Sequence, residues 1–222
     1  MSLDYGERFL VADARRMAYM FFADVFSTEV TEDFVANMAS FEAVEGSKLA
    51  EFVNTLEESD FERITQDIRS EFCALFLNMS AHPVFTSESV YLSGNHVIMQ
   101  EQRNQVLDIY RFYNLAVDKD SFDWPEDHIS MEMLFMAHLC ELESELCHMA
   151  SVASAEDESI SIDSRLASIV SAQKAFFEDH LDRWAPMFAD ELSQYAGTLF
   201  YKGVAEYLEE FLDGERKHLI EI

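Results

Sequence analysis

The residues best equipped for chemistry gather in one short stretch, residues 122–136, read Phe-Asp-Trp-Pro-Glu-Asp-His-Ile-Ser-Met-Glu-Met-Leu-Phe-Met. Glu126 and Asp127 are paired acids, His128 follows at once, and Glu132 lies four residues further on. Carboxylates and an imidazole so close together can hold a cationic or hydrogen-bonding ligand. They can equally well finish a helix. Pro125 suits a first helical position, where its missing N–H has no acceptor to lose. Glu126 and Asp127 would then offset the positive end of the helix dipole, and His128 and Glu132, sharing a face, would pair. Trp124 adds an aromatic at the entrance. Binding site and well-capped helix start are both open on these residues alone.

The elements that must position this stretch are helices. Leu10, Ala14, Met17, Ala18, Phe21, Phe22 and Val25 form an apolar stripe on a first long helix, and Phe61, Ile64, Ile68, Phe72, Leu75 and Phe76 form another. Thr31 fits the cap of a short helix ending near Met38, and a further helix is expected from about Gly46. Helix is predicted again over 95–113, from the Pro125 region to about Val152, from Asp163 onward until Pro186 ends that helix or opens the next, over Met187 to Tyr195, and over 199–212. No run alternates long enough to demand a strand. Loops are predicted at about 78–94, 114–124 and 154–162, the last rich in Ser, Glu and Asp. The expected fold is all-α, a single helical domain of about eight to eleven helices over residues 1–222.

Composition narrows the function classes. The chain has 222 residues, 43 acidic against 15 basic, and a formal charge of −28. Such a surface repels phosphate backbones, so no nucleic acid partner is expected, and an anionic membrane is disfavoured too. A basic peptide would be drawn to it. Three cysteines make an odd number. Cys140 and Cys147 stand about two turns apart on one predicted helix, roughly 10 Å, too far for a disulfide. Free thiols fit a reducing cytoplasm. No signal-peptide pattern and no apolar run of membrane length is present, which predicts a soluble cytoplasmic protein.

Glycine-rich phosphate loops and nucleophile elbows are missing, and no cysteine is marked as activated. Two Glu-x-x-His pairs, Glu145 with His148 and Glu215 with His218, match the spacing of di-metal helical bundles. The second lies at the extreme C-terminus, where an enclosed ligand shell is hard to build. No metal and no cofactor are predicted. His180, on an apolar helix face, reads as a hydrogen-bonded core histidine.

Three stretches in order carry a resemblance. The first is Glu71-Phe72-x-x-Leu75-Phe76, followed by Pro83 and Glu88-Ser89-Val90-Tyr91. The second is Pro125-x-Asp127-His128 with Glu132 and Phe135-Met136. The third is Phe176, His180-Leu181, Trp184 and Pro186, then Phe200-Tyr201 and Phe211-Leu212. Over residues 61–212 the chain resembles the TorD/DmsD-like cytoplasmic chaperones that assist maturation of molybdenum redox enzymes. A glycine common in that family shortly after the Leu-Phe pair is absent here, where Leu77-Asn78-Met79-Ser80-Ala81-His82 stands instead.

The resemblance implies an all-helical chaperone without enzymatic activity. It implies binding of a twin-arginine leader peptide or the apo-molybdoenzyme client, and a monomer or helix-swapped homodimer. It also implies that the Asp127-His128 segment and the loop from Pro83 to Tyr91 line the peptide site. Physically, guanidinium pairs with carboxylate, a role open to Asp127, Glu126 or Glu88. Phe72, Phe76, Tyr91 and Trp124 would supply the apolar groove, with Pro125, Ser89 and Glu132 beside them. Two other readings compete: a general acidic helical interaction module, and a di-metal helical-bundle enzyme.

Overall fold

Asp4 begins the first helix by a reciprocal cap: its carboxylate accepts from the Glu7 N–H at 2.8 Å, and Glu7 accepts from the Asp4 N–H at 3.2 Å. The computed structural model describes residues 4–57, 60–117, 124–152 and 156–221. Among these the architecture is all-α. The helices are α1 (Tyr5–Ser27), α2 (Glu32–Met38), α3 (Lys48–Asn54), α4 (Phe61–Phe76), α5 (Glu88–Leu92), α6 (Glu101–Phe112), α7 (Ile129–Val152), α8 (Glu156–Phe176), α9 (Asp182–Tyr195) and α10 (Leu199–Glu221). A π-helical turn, Phe177–Leu181, joins α8 to α9.

Local chemistry explains most of the boundaries. Thr31 and Ser47 cap α2 and α3 through their hydroxyls. Asn78 follows α4 at φ 56° and Asn114 follows α6 at φ 57°. Asparagine tolerates that left-handed conformation. After α6 the Leu115 N–H reaches the Tyr110 carbonyl at 2.8 Å and the Asn114 N–H reaches Arg111 at 3.0 Å, which closes the helix end with two bonds. Glu71 on α4 holds the start of α10, accepting from the N–H groups of Gly197 and Thr198.

α1 lies along α7, α8 packs on α7, and α10 packs on α3 and α9. Their common core is aromatic: Phe22, Phe26, Phe76, Phe188, Phe200 and Tyr201 stack or meet edge to face. A buried polar network lies among α1, α7, α8 and α10. Arg15 grips Glu215 with two bonds of 2.7 Å, Tyr19 donates to the same carboxylate at 2.6 Å, and Gln173 bridges Arg15 to Glu143. Glu215 is thus the counter-ion of an arginine, and His148 of the other Glu-x-x-His pair rests against Phe9.

Four expectations change. The stretch 78–94 is irregular only in part, because residues 88–92 form α5. Helix does not resume until Glu101, and residues 95–100 are irregular. Of the loop predicted at 154–162, residues 154 and 155 lie outside the described ones. α8 begins at Glu156, since buried Ile162 and Leu166, four apart, seat its first turns against Leu146 and Cys147. Pro186 lies inside α9 without ending it; a π-helical turn lies just upstream. Of the loop predicted at 114–124, residues 118–123 lie outside the described ones.

Candidate functional site

The three stretches singled out by type and spacing meet in space, the first two along their backbones and the third through the side chains of His180 and Trp184. Residues 86–89 lie antiparallel to 127–129: the Glu88 N–H donates to the Asp127 carbonyl at 2.9 Å and the Ile129 N–H to the Thr86 carbonyl at 2.8 Å. The loop before α5 is in this way fastened to the start of α7. Asp127 completes the fastening, its carboxylate accepting from the Ser89 N–H at 2.9 Å and from the Ser89 hydroxyl.

α7 starts at Ile129, later than Pro125, so Pro125, Glu126 and Asp127 form a turn ahead of the helix instead of its first turn. His128 occupies the cap position. Its Nδ1 accepts from the Ser130 N–H at 3.2 Å and faces the Ser130 hydroxyl at 2.5 Å. An Nδ1 that accepts carries no proton, and burial pushes the imidazole down to about 3. The ring stacks on Trp124 at 4.7 Å, and the Trp124 indole N–H donates to the Ser27 carbonyl at the end of α1. The expected pairing of His128 with Glu132 is absent. Glu132 instead accepts from the Trp184 indole at 3.0 Å.

Beneath this turn sits a buried acidic group. Glu88, Asp127 and Glu132 are fully buried. The His180 Nδ1 lies 2.9 Å from Glu88, which makes His180 the hydrogen-bonded core histidine its helix face predicts. Burial first, and then the charge of Glu88, raise the Glu132 carboxyl well above the usual range. Burial also raises Asp127, against the pull of its bonds from Ser89. Tyr91 closes the side, donating to Glu191 at 2.8 Å and packing on Trp184.

Glu126 differs from its neighbours. It points to Arg103 in the first turn of α6, with Nε to Oε2 2.5 Å; the arginine side chain is 29% exposed and the glutamate 7%. The Tyr110 hydroxyl donates to the Glu126 carbonyl at 3.2 Å. From Tyr110 a cavity of about 310 Å³ opens along α7, lined by Leu115, Val117, Met131, Leu134, Phe135 and His138. Its α7 residues recur at i, i+3, i+4 and i+7, one helical face. A second cavity of about 410 Å³ shares the Phe135 wall and reaches His180 and Phe112.

Of the residues proposed from sequence, Trp124, Pro125, Glu126, Asp127, His128, Glu132, Glu88, Ser89 and Tyr91 come together. Phe72 and Phe76 stand apart in the core, with Phe26, Phe188 and Tyr201 as their surroundings. Pro83 is half-buried beside Val84, whose N–H ties back to Leu75. Arg103, Tyr110 and Trp184 were not among the proposed residues, and neither were the cavity residues of α7. Only the last carry a local signal, the repeating apolar face of α7 from Met131.

Residues 42–190, well over half of the chain, match the family model described as nitrate reductase delta subunit. The chain belongs to this family. It is the family of the TorD chaperones, as the ordered motifs lead one to expect. The chaperone protein TorD of Vibrio cholerae is 22% identical over 227 residues, covering 96% of this chain and 95% of its own. The TorD proteins of Aliivibrio salmonicida and Aliivibrio fischeri are 23% and 24% identical, each covering 93% of this chain and 95% of their own. The match extends across the Asp127-His128 turn and the α5 segment together, so the fastening of one to the other lies inside the family region. Among the described residues of this family member, no helix is long and apolar enough to cross a membrane.

Proposed function

We propose that the protein is a cytoplasmic chaperone for a molybdenum redox enzyme. It binds the twin-arginine leader peptide of its client, or the apoenzyme that carries it, while the client acquires its cofactor and before export. Membership of a chaperone family supports the class. The observation that carries the peptide reading is the order of chemistry from the turn into α7: a carboxylate at Glu126, then the apolar cavity of Met131, Leu134 and Phe135. A twin-arginine leader offers the same order, guanidinium followed by an apolar stretch.

In this reading Glu126 accepts an arginine, and Trp124 and Pro125 form the rim. Asp127, His128, Glu132, Glu88, Ser89 and Tyr91 act from behind, because the first five are buried and already hydrogen-bonded. They hold the turn that presents Glu126. Phe72 and Phe76 keep α4 in the core, and Pro83 leads the chain into the α5 segment. The net charge of −28 raises the encounter rate with a basic leader.

The test is a calorimetric titration with leader peptides of molybdoenzymes from the source genome, each beside a version with both arginines replaced by lysine. Saturable binding that weakens with the lysines is expected. Glu126→Gln should lower affinity by about 1–3 kcal/mol, and Leu134→Glu should lower it through the cavity. A wild-type protein that binds no leader overturns the peptide reading.

A further inference from the structure

We propose that the second cavity, between α6 and the π-helical turn, takes the side chain of one arginine of the leader pair, with Asp179 at its mouth as the counter-ion. The inference rests on the leader reading above and assigns a place to the neighbour of the arginine that Glu126 accepts.

Two cavities flank Phe135, and their linings differ in one respect. The first carries no carboxylate. The second, of about 410 Å³, carries Asp108 and Asp179 beside the rings of Phe112, Tyr113, Phe135 and Phe176. Phe135, Phe176 and His180 are buried and form its floor, whereas Phe112, 80% exposed, and Asp179 stand at its mouth. Rings with acids at the rim suit a side chain that is apolar along its stem and cationic at its tip. Arginine is such a side chain, and its planar guanidinium stacks on ring faces as a lysine ammonium does not.

Of the two acids, Asp108 is already held by Arg111 at 3.1 Å. Arg183 reaches only the backbone carbonyl of Asp179, at 3.3 Å, and among the described residues no ion pair engages the Asp179 carboxylate. Asp179 is therefore the acceptor at the mouth. It lies on the π-helical turn, which supplies both Asp179 and His180 to the cavity. Such turns are rare and are frequent at functional sites.

The separation suits a neighbouring residue. The Tyr110 hydroxyl bonds the Glu126 carbonyl at 3.2 Å, and the Tyr110 ring packs on Phe135 at 5.1 Å and on Phe176 at 6.4 Å. One tyrosine side chain and one ring contact thus lie between Glu126 and the cavity wall. Adjacent residues of an extended peptide send their side chains to opposite sides. Two arginines, one on each side of the Phe135 ridge, span that separation, and the apolar residues that follow enter the carboxylate-free first cavity.

The experiment is a double-mutant cycle by calorimetry. Three leaders are used: the double-arginine peptide, and two peptides in which the first or the second arginine is replaced by glutamine. Each is titrated into wild type, Asp179→Asn, Phe112→Ala and Glu178→Gln. Glu178 is the charge control: it adjoins Asp179, pairs with Lys174 at the surface, and its loss changes the net charge equally. Asp179→Asn is expected to weaken the double-arginine leader by about tenfold, and Phe112→Ala by about threefold. Both variants should weaken one single-arginine leader by the same factors and leave the other, which lacks the cavity arginine, unchanged. If Asp179→Asn weakens all three leaders alike, as Glu178→Gln does, Asp179 acts through net charge and the inference falls alone. If Phe112→Ala weakens all three while Asp179→Asn weakens none, the cavity holds the apolar segment, and the inference again falls alone. If wild type binds no leader, the leader reading falls and takes this one with it.

Discussion

The carboxylate of Asp127 accepts both the backbone N–H and the hydroxyl of Ser89, 38 residues earlier in the chain. That relation makes the acid of the Asp-His pair a clasp between the α5 segment and the start of α7. It is fully buried in the folded protein. Asp127→Ala should lower stability by about 1–3 kcal/mol in urea unfolding, since it leaves the Ser89 donors unpaired. Asp127→Asn, which keeps one acceptor, should cost less. Any loss of leader affinity in these variants should follow the loss of stability, whereas Glu126→Gln should lose affinity at unchanged stability.

His128 links the site to pH. Its folded pKa of about 3 lies below the unfolded value of 6.5, so the folded state binds fewer protons. Its contribution to stability is present above pH 6.5 and is lost as pH falls towards 3. Between pH 6.5 and 5 the loss is about 2 kcal/mol. His128→Asn keeps a cap acceptor for the Ser130 N–H and removes the titration. The gap between wild type and variant should therefore move by about that amount over this window, in favour of the variant at pH 5. Glu132 and Asp127, raised by burial, act in the opposite direction. Both are present in the two proteins and cancel in the difference.

The helices are legible in the sequence because their apolar stripes repeat with the helical period, as in α1 and α4, and because Thr31 and Ser47 are good caps. The start of α7 is less so. Pro125-Glu126-Asp127 satisfies every local rule for a first helical turn, yet antiparallel pairing with residues 86–89 holds those residues out of the helix. Such pairing leaves no periodic mark. Arg103 is illegible for a similar reason: its partner lies 23 residues away, and nothing on α6 sets it apart from Arg111. The partners of the buried acids, His180 and Trp184, come from the far end of the chain. Only their apolar surroundings, which mark them as core, can be read in advance.

Gly203 tests the packing of α10 on α3. A Cβ at this position would lie 2.6 Å from the Leu49 backbone nitrogen, which a flexible side chain cannot relieve. Gly214, on the same helix, has nothing within 4 Å of the same atom. Alanine ordinarily stabilises a helix by up to about 1 kcal/mol over glycine. Gly214→Ala should show that gain in thermal melting, and Gly203→Ala should instead lose about 1–3 kcal/mol from overpacking. Equal effects at the two positions would mean that α3 and α10 do not approach so closely.

The arginine network among α1, α7, α8 and α10 makes the last prediction. Arg15 is 7% exposed, and the two carboxylates it serves, Glu143 and Glu215, are buried with it. Removing the cation leaves Glu215 with Tyr19 as its remaining donor, while Glu143 keeps Arg8. Arg15→Met should therefore cost about 3–5 kcal/mol, most of it the uncompensated charge of Glu215. The second change Glu215→Gln removes that charge and keeps an acceptor for the Tyr19 hydroxyl. The double variant should consequently be more stable than Arg15→Met alone, a coupling that urea unfolding of all four proteins reads directly. If the two changes instead add, Arg15 contributes mainly through the packing of its stem and its bond to Gln173.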